Sequence, residues 1–485
     1  MSSINKKNNT PPLFSLFEQK LQNAGTAPAI IESFSYYYNQ LVMGERGIIS
    51  ENDIDPVLKN EILDYAESDA LFDAGKSLLD KVAIIKLNGG LGTTMGLKRP
   101  KSLIEVRKGF GFLDVTVRQV LNYREKYKIK MPLLFMNSFH TDQATKDHLA
   151  IYDGLESNVP LTFLQSRFPK VLQHGLSPAE YPKNRPLEWN PPGHGEIYIV
   201  LDSSGMLEKL LEADIRYAFI SNSDNLGAVM NARILGYFAE SKAPLLMEVT
   251  RRKEIDKKGG HLARSKKTNR LLLRETAQCP LNERSQFQDI HRHKYFNTNN
   301  IWLDLYALKK HLNENNRTVH LPMIANPKKL NPRDHESPMV FQIETAMGSA
   351  ISVFENATMI CVPRNRFKPV KECADLLELW SDCYTFTEDY RLVENPERKL
   401  PPVTIKLDDR YYRMASQLKE RFPYGAPSLI DCESLTIEGD VLFEGCVSIK
   451  GNVKIFNPNH RQHVISEKTS IDQARLDCGV LTLHD

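Results

Sequence analysis

No run in this chain approaches the ~20 consecutive apolar residues that a membrane span requires, which argues against a membrane protein. Cysteine is sparse: seven, at positions 279, 361, 373, 383, 432, 446 and 478. The number is odd, no pair forms Cys-x-x-Cys, and no histidine pair stands at zinc-finger spacing. That argues against a disulfide framework and a zinc site, and reads as reduced, mostly buried thiols of a cytoplasmic protein. An excess of either charge is missing too. With 63 Lys and Arg against 60 Asp and Glu the net charge is only +3, and no long basic stripe carries interleaved aromatics. Nucleic acid is therefore not an expected partner. Arg251-Arg252-Lys253 and Lys257-Lys258 read as solvated loop charge. The segment Met1–Thr10 lacks the apolar core of a secretory signal and reads as a loose tail.

What is present is organised. At 485 residues the chain is too long for one ordinary core, so two or three domains are expected. Residues 1–80 predict a helical N-terminal segment, with Leu13, Leu16, Phe17 and Leu21 on one stripe. From residue 81 to 390 the pattern is strand, turn, helix, repeated. Apolar runs at 132–136, 216–220 and 244–249 alternate with helical stretches such as Leu113 to Tyr127 and Ser204 to Leu211. This predicts an α/β domain with a mostly parallel sheet and helices on both faces. Residues 391–430, with Pro401-Pro402, would connect it to a last unit at 431–485. There Leu435, Val441, Val447 and Val453 are spaced by six, as are Ile437, Phe443, Ile449 and Ile455, and Gly439, Gly445 and Gly451. Two inward apolar positions and a turn glycine per six residues predict a β-helix coil. A stack this short cannot cover both ends and should cap another surface or another subunit.

The most informative stretch is Lys86–Lys101. It follows Val82-Ala83-Ile84-Ile85, a β-branched run that reads as a buried parallel strand. Glycines 89, 90, 92 and 96 free the backbone to approach a ligand. Successive N–H groups on such a loop form a concave nest for an anion, and Lys101 adds charge just past it. The Walker pattern fails because Leu97 follows Gly96, and the dinucleotide fingerprint fails because its third glycine falls one place late. Further along, Pro191–Glu196 places His194 between two glycines, in a rigid turn or an open phosphate contact. Ser221–Asn225 follows an apolar strand, and its Asp224 is either a helix cap or a magnesium ligand. Phe296–Asn300 and Gln342–Thr345 are either surface loops or offer amides and a carboxylate for sugar hydroxyls. Arg364–Lys371 concentrates positive charge before a helix.

The string Lys86–Lys101 resembles the signature of nucleoside-triphosphate sugar-1-phosphate nucleotidyltransferases, and in detail that of the UTP–glucose-1-phosphate uridylyltransferases (UDP-glucose pyrophosphorylases). The clusters above follow in that family's order to about Leu376, and the match extends into the six-residue repeat. The resemblance implies a Rossmann-like, GT-A-like α/β core with a mixed sheet, a helical N-terminal layer and a short C-terminal left-handed β-helix. It implies that Leu87, Asn88, Gly89 and Gly90 hold the nucleotide. Met136, Gln165 (in Gln165-Ser166-Arg167-Phe168-Pro169), Pro192 and Gly193 would line the uracil pocket. His194, Asn222, Ser223 and Asp224 would contact the sugar phosphate, with Asp224 binding Mg²⁺. Asn299 and Glu344 would face glucose. Lys101 and Lys371 would grip the phosphates, Lys371 matching the family's active-site lysine.

Related branches carry Gly-x-Gly-Thr-Arg, and Thr94 standing at the arginine position favours the glucose group. Gln173 to Asn190 matches the family less clearly. The implied reaction is UTP plus glucose 1-phosphate giving UDP-glucose and pyrophosphate. A broader or N-acetylated sugar preference stays open at this point, as does a scaffold subunit, although a scaffold would be expected to lose Lys101, Asp224 or Lys371. Self-association through the C-terminal β-helix is allowed by the sequence.

Overall fold

The computed structural model describes residues 13–65, 71–97, 99–477 and 480–483. The tail expected over Met1–Thr10 and the thiol of Cys478 lie outside them. Eight strands form the path of the central sheet: β1 (Leu63–Asp64), β2 (Val82–Asn88), β3 (Leu133–Asn137), β4 (Thr162–Leu164), β5 (Tyr217–Asn222), β6 (Leu245–Arg251), β7 (Tyr295–Asp304) and β8 (Thr358–Cys361). Their spatial order is β1-β8-β6-β7-β5-β2-β3-β4. Neighbours are parallel except around β7, which runs antiparallel to both β5 and β6. The sheet is thus mixed, with one long reversed strand inside what the sequence predicts as mostly parallel. Residues 296–300, whose polar composition suggests a surface loop, belong to that strand.

The sheet is buried on both faces, as the apolar β2 requires. Val82 and Ile84 face one core with Leu133, Phe135 and Phe219. Ala83, Ile85 and Leu87 face the other, together with the N-terminal aromatics. Those aromatics come from the helices Phe14–Asn23 and Pro28–Val42. The buried stripe of the first helix is Phe14, Phe17 and Leu21, whereas Leu13 and Leu16 are 36% and 47% exposed. The stripe is therefore rotated from the expected one, and Phe14 takes the inner position. The N-terminal region is also not purely helical, since β1 joins the edge of the sheet.

At the other end, all eight residues of the two apolar columns from Leu435 to Ile455 are buried. Strand Cys432–Glu438 pairs in parallel with Ser448–Phe456, placing Leu435 beside Val453 and Ile437 beside Ile455, three six-residue units on. The next turn is longer: Phe443 pairs with Ile465 and Ile449 with Ile471. The column therefore continues through Ile465 and Ile471 after the six-residue period is lost. Gly439 and Gly451 take positive φ as their column requires, but at Gly445 the left-handed position is occupied by the next residue, Cys446. The segment expected as a connection contributes its own strand, Thr404–Leu407, parallel to Cys432–Glu438. Of the six described cysteines, five are buried and Cys446 is exposed.

Candidate active site

The carboxyl ends of β2, β3 and β5 lie side by side, the usual binding edge of an open α/β sheet. In register, Leu87 stands between Met136 and Asn222. The Ser223 N–H donates to the Leu87 carbonyl at 3.1 Å, fixing the turn after β5 against the start of the glycine loop. Asn88 is buried and donates to Asn137 Oδ1 and Thr145 Oγ1 at 2.8 and 2.9 Å. Ser138 Oγ donates to the Gly89 carbonyl at 2.9 Å. A Cβ on Gly89 would lie 2.9 Å from the Gln165 side-chain amide, so the close approach of loop and glutamine depends on glycine here.

Lys101 folds back onto this loop, its N–H donating to the Gly90 carbonyl at 3.1 Å. Its ammonium lies 2.6 Å from Asp224 Oδ2 and also donates to the Val370 carbonyl. The Val370 N–H donates to the Asp224 carbonyl at 3.3 Å. Glycine loop, Lys101, Asp224 and the segment leading to Lys371 therefore meet in one place. The basic cluster around Lys371 is less uniform than its composition suggests. Arg364 forks onto Asp256 at 2.6 and 2.8 Å, Arg366 forks onto Glu248 at 2.6 and 2.7 Å, and Lys368 lies 3.5 Å from Glu378. Lys371 is exposed and forms no ion pair among the described residues. Burial pushes the nearby Glu275 up to about 7, against the field of Lys371.

At the second glycine turn, Gly193 has φ +83°, and a Cβ there would stand 2.3 Å from the Thr345 carbonyl oxygen. The Thr345 N–H donates to the Pro192 carbonyl at 2.8 Å, so the strand Met339–Thr345 ends beside this turn, with Glu344 its last residue but one. His194 Nδ1 accepts the Met347 N–H at 2.8 Å. That leaves the ring proton on Nε2, and burial holds the ring down to about 4. His194 is thus a neutral hydrogen-bond donor rather than a cation. Two residues on, Glu196 accepts from the Ser166 N–H at 2.9 Å and from its hydroxyl, joining this turn to Gln165. Asn299 sits in a β-bulge opposite Glu248–Val249, with φ 56° and its side chain bonded to Asn297. Burial also raises the Glu344 carboxyl.

Sequence reasoning missed Glu248, and it gave Lys86, Asn225 and Asn300 no role of their own within the clusters that contain them. Lys86 is buried, donates to Ser221 Oγ and the Ala228 carbonyl at 2.8 and 2.9 Å, and is held down to about 7 by burial. A charged residue inside the apolar runs Val82–Leu87 and Leu245–Val249 was the available signal.

A glycine loop at the carboxyl ends of β2, β3 and β5, with the Lys101–Asp224 pair beside it, suits a transferase that works by charge and position. The chain belongs to the UTP–glucose-1-phosphate uridylyltransferase family, whose model matches residues 31–450. It is 38% identical over 426 residues to a probable UTP–glucose-1-phosphate uridylyltransferase of Schizosaccharomyces pombe, covering 87% of this chain and 82% of that protein. To the barley (Hordeum vulgare) UTP–glucose-1-phosphate uridylyltransferase it is 41% identical, covering 79% of each. Among solved structures it is similar to a UDP-glucose phosphorylase from Trypanosoma brucei, with TM-score 0.86, 41% identity and coverage of 96% and 99% of the two chains. A Leishmania major UDP-glucose pyrophosphorylase variant in complex with UDP-glucose gives TM-score 0.87 at 38% identity, covering 96% of this chain and 99% of that one.

Proposed function

We propose that this protein converts UTP and α-D-glucose 1-phosphate to UDP-glucose and pyrophosphate, reversibly. The observation that carries the reading is the meeting of the Gly89–Gly92 loop, Lys101, Asp224 and the segment leading to Lys371 beyond the strand ends. A phosphate oxygen of the sugar attacks the α-phosphorus of UTP in line. The new O–P bond forms as the bond to the bridging oxygen breaks, and pyrophosphate leaves with the electron pair. The attacking oxygen is already anionic at neutral pH, so no protein nucleophile or base is needed. The obstacle is repulsion between two polyanions, which positioning and fixed charge must overcome.

In this reading Leu87, Asn88, Gly89 and Gly90 hold the nucleotide, and Met136, Gln165, Pro192 and Gly193 enclose the uracil. His194 offers Nε2–H to the sugar phosphate beside Asn222 and Ser223, and Asn299 and Glu344 receive glucose hydroxyls. Lys101 and Lys371 bear on the phosphates from two sides. Among the described residues no group of three or more His, Cys, Asp or Glu could form a closed metal cage. A single carboxylate, Asp224, suits a magnesium ion held mostly by substrate oxygens. Bound there, Mg²⁺ would neutralise charge on the phosphates.

The C-terminal parallel strands are read as the left-handed β-helix implied by the family, and the core as GT-A-like. One end of this β-helix is proposed as a self-association surface, which light scattering with and without residues 431–485 would test. The domain limits at 80, 390 and 430 and a cytoplasmic location belong to the same reading. Among the described residues no helix is long and apolar enough to cross a membrane. The deciding experiment is pyrophosphate release from UTP and glucose 1-phosphate with Mg²⁺, with ATP, GTP and N-acetylglucosamine 1-phosphate as alternates. Release only with the first pair supports the reading, and preference for an alternate overturns it.

A further inference from the structure

Glu248 lies in the middle of β6, fully buried between Met247 and Val249. Its two oxygens receive four donors. Arg366 Nε and Nη2 lie at 2.7 and 2.6 Å, Trp302 Nε1 at 2.9 Å and Asn300 Nδ2 at 3.0 Å. Arg366, 8% exposed, turns its remaining edge to the Val229 carbonyl at 3.0 Å. Its charge is spent inside the protein and does not reach the phosphates.

A buried ion pair is often no more stabilising than an apolar pair of the same volume, so stability alone does not account for this one. Its connections do. The Arg366 carbonyl accepts from Asn225 Nδ2 at 3.2 Å and Asn300 Nδ2 at 3.4 Å. Asn225 Oδ1 accepts the backbone N–H of Gly227 and of Lys368 at 3.1 and 2.9 Å. A Cβ on Gly227 would stand 2.3 Å from the Asn365 carbonyl oxygen, so the two backbones interlock. One end of this zipper is Asp224, and the other is the Val370–Lys371 step.

We infer that Glu248 and Arg366 are positioning residues for the transfer: acting through Asn225 and Asn300, the pair sets the spacing between the Asp224 turn and the Lys371 segment. The inference rests on the proposed roles of Asp224 and Lys371. It adds a mechanical requirement that neither residue satisfies alone. The geometry needs a fork and a carboxylate plane at full burial, which lysine or an amide does not supply.

The test uses Arg366→Lys, the apolar pair Glu248→Met with Arg366→Met, and, should either fold poorly, Asn225→Ala. For each, kcat and KM are measured with UTP and glucose 1-phosphate, and amide hydrogen exchange is followed at Lys368 and Val370. The expected result is kcat lower by about ten- to hundredfold, KM for UTP little changed, and faster exchange at those two amides. A normal kcat, or a lowered kcat with unchanged exchange, overturns the inference. Exchange is read without substrate, so it still judges the zipper if the wild-type protein proves inactive with this substrate pair. Wild-type inactivity would count against the proposed function alone.

Discussion

The C-terminal repeat and the central sheet bury strands by opposite rules. In the repeat, the inward columns from Leu435 to Ile471 are apolar throughout, and each residue does the same work as its neighbour one turn away. In the sheet, the apolar strands β2 and β6 carry Lys86 and Glu248, β2 ends in the buried Asn88, and the polar stretch of β7 adds Asn300, each bonded to residues distant in the chain. Burying such groups costs several kcal/mol unless every one is partnered. The difference teaches where function is held: the repeat supplies cohesion, and the polar interior of the sheet supplies geometry.

Substitutions in the two regions should therefore separate activity from stability. Lys101→Ala and Asp224→Asn should lower turnover by about 10²–10³ with the melting temperature nearly unchanged, and Asp224→Asn should raise the magnesium requirement. An unaltered magnesium titration would reduce Asp224 to a partner of Lys101. Ile449→Ala in the repeat should do the reverse, costing about 2–5 kcal/mol in denaturant unfolding while kcat per folded molecule stays normal. A fall in kcat at full folding would show that the repeat shapes the site directly. Gly193→Ala, which forces a side chain onto the Thr345 carbonyl at positive φ, should cost about 1–3 kcal/mol and raise KM.

The smallest effect concerns pH. His194 is held down to about 4 in the folded protein against an ordinary 6.5. Between these values the unfolded chain binds the extra proton, so this contribution to stability is complete above about 6.5 and is lost as pH falls toward 4. Glu196, pushed up to about 7 by burial, works in the opposite sense, its contribution fading as pH rises from 4.5 to 7. Unfolding of His194→Gln and Glu196→Gln at pH 5.0 and 7.5 separates the two. The His194 variant should lose less relative to wild type at pH 5.0, and the Glu196 variant less at pH 7.5. Nitrogen NMR of the His194 ring should show a neutral Nε2–H tautomer at pH 6.

The same contrast explains what the sequence disclosed. The repeat was legible because its period is local, and it faded only where the longer turn after Ile455 broke the count. The glycine loop was legible because backbone freedom and a following lysine are adjacent in the chain. The fork of Arg366 on Glu248 joins residues far apart, and composition alone made Arg364, Arg366 and Lys368 look like equals of Lys371. The reversed direction of β7 was hidden for a related reason: strand polarity leaves no mark on the apolar pattern.

That sorting of four cations is the most exposed part of the account. Pyrophosphate release under saturating UTP and glucose 1-phosphate should be compared for Lys371→Ala and Lys368→Ala. Lys371→Ala should lose about 10²–10³ in rate, while Lys368→Ala, whose charge already faces Glu378, stays close to wild type. Equal rates for the two variants, or a larger loss at Lys368, would contradict that sorting.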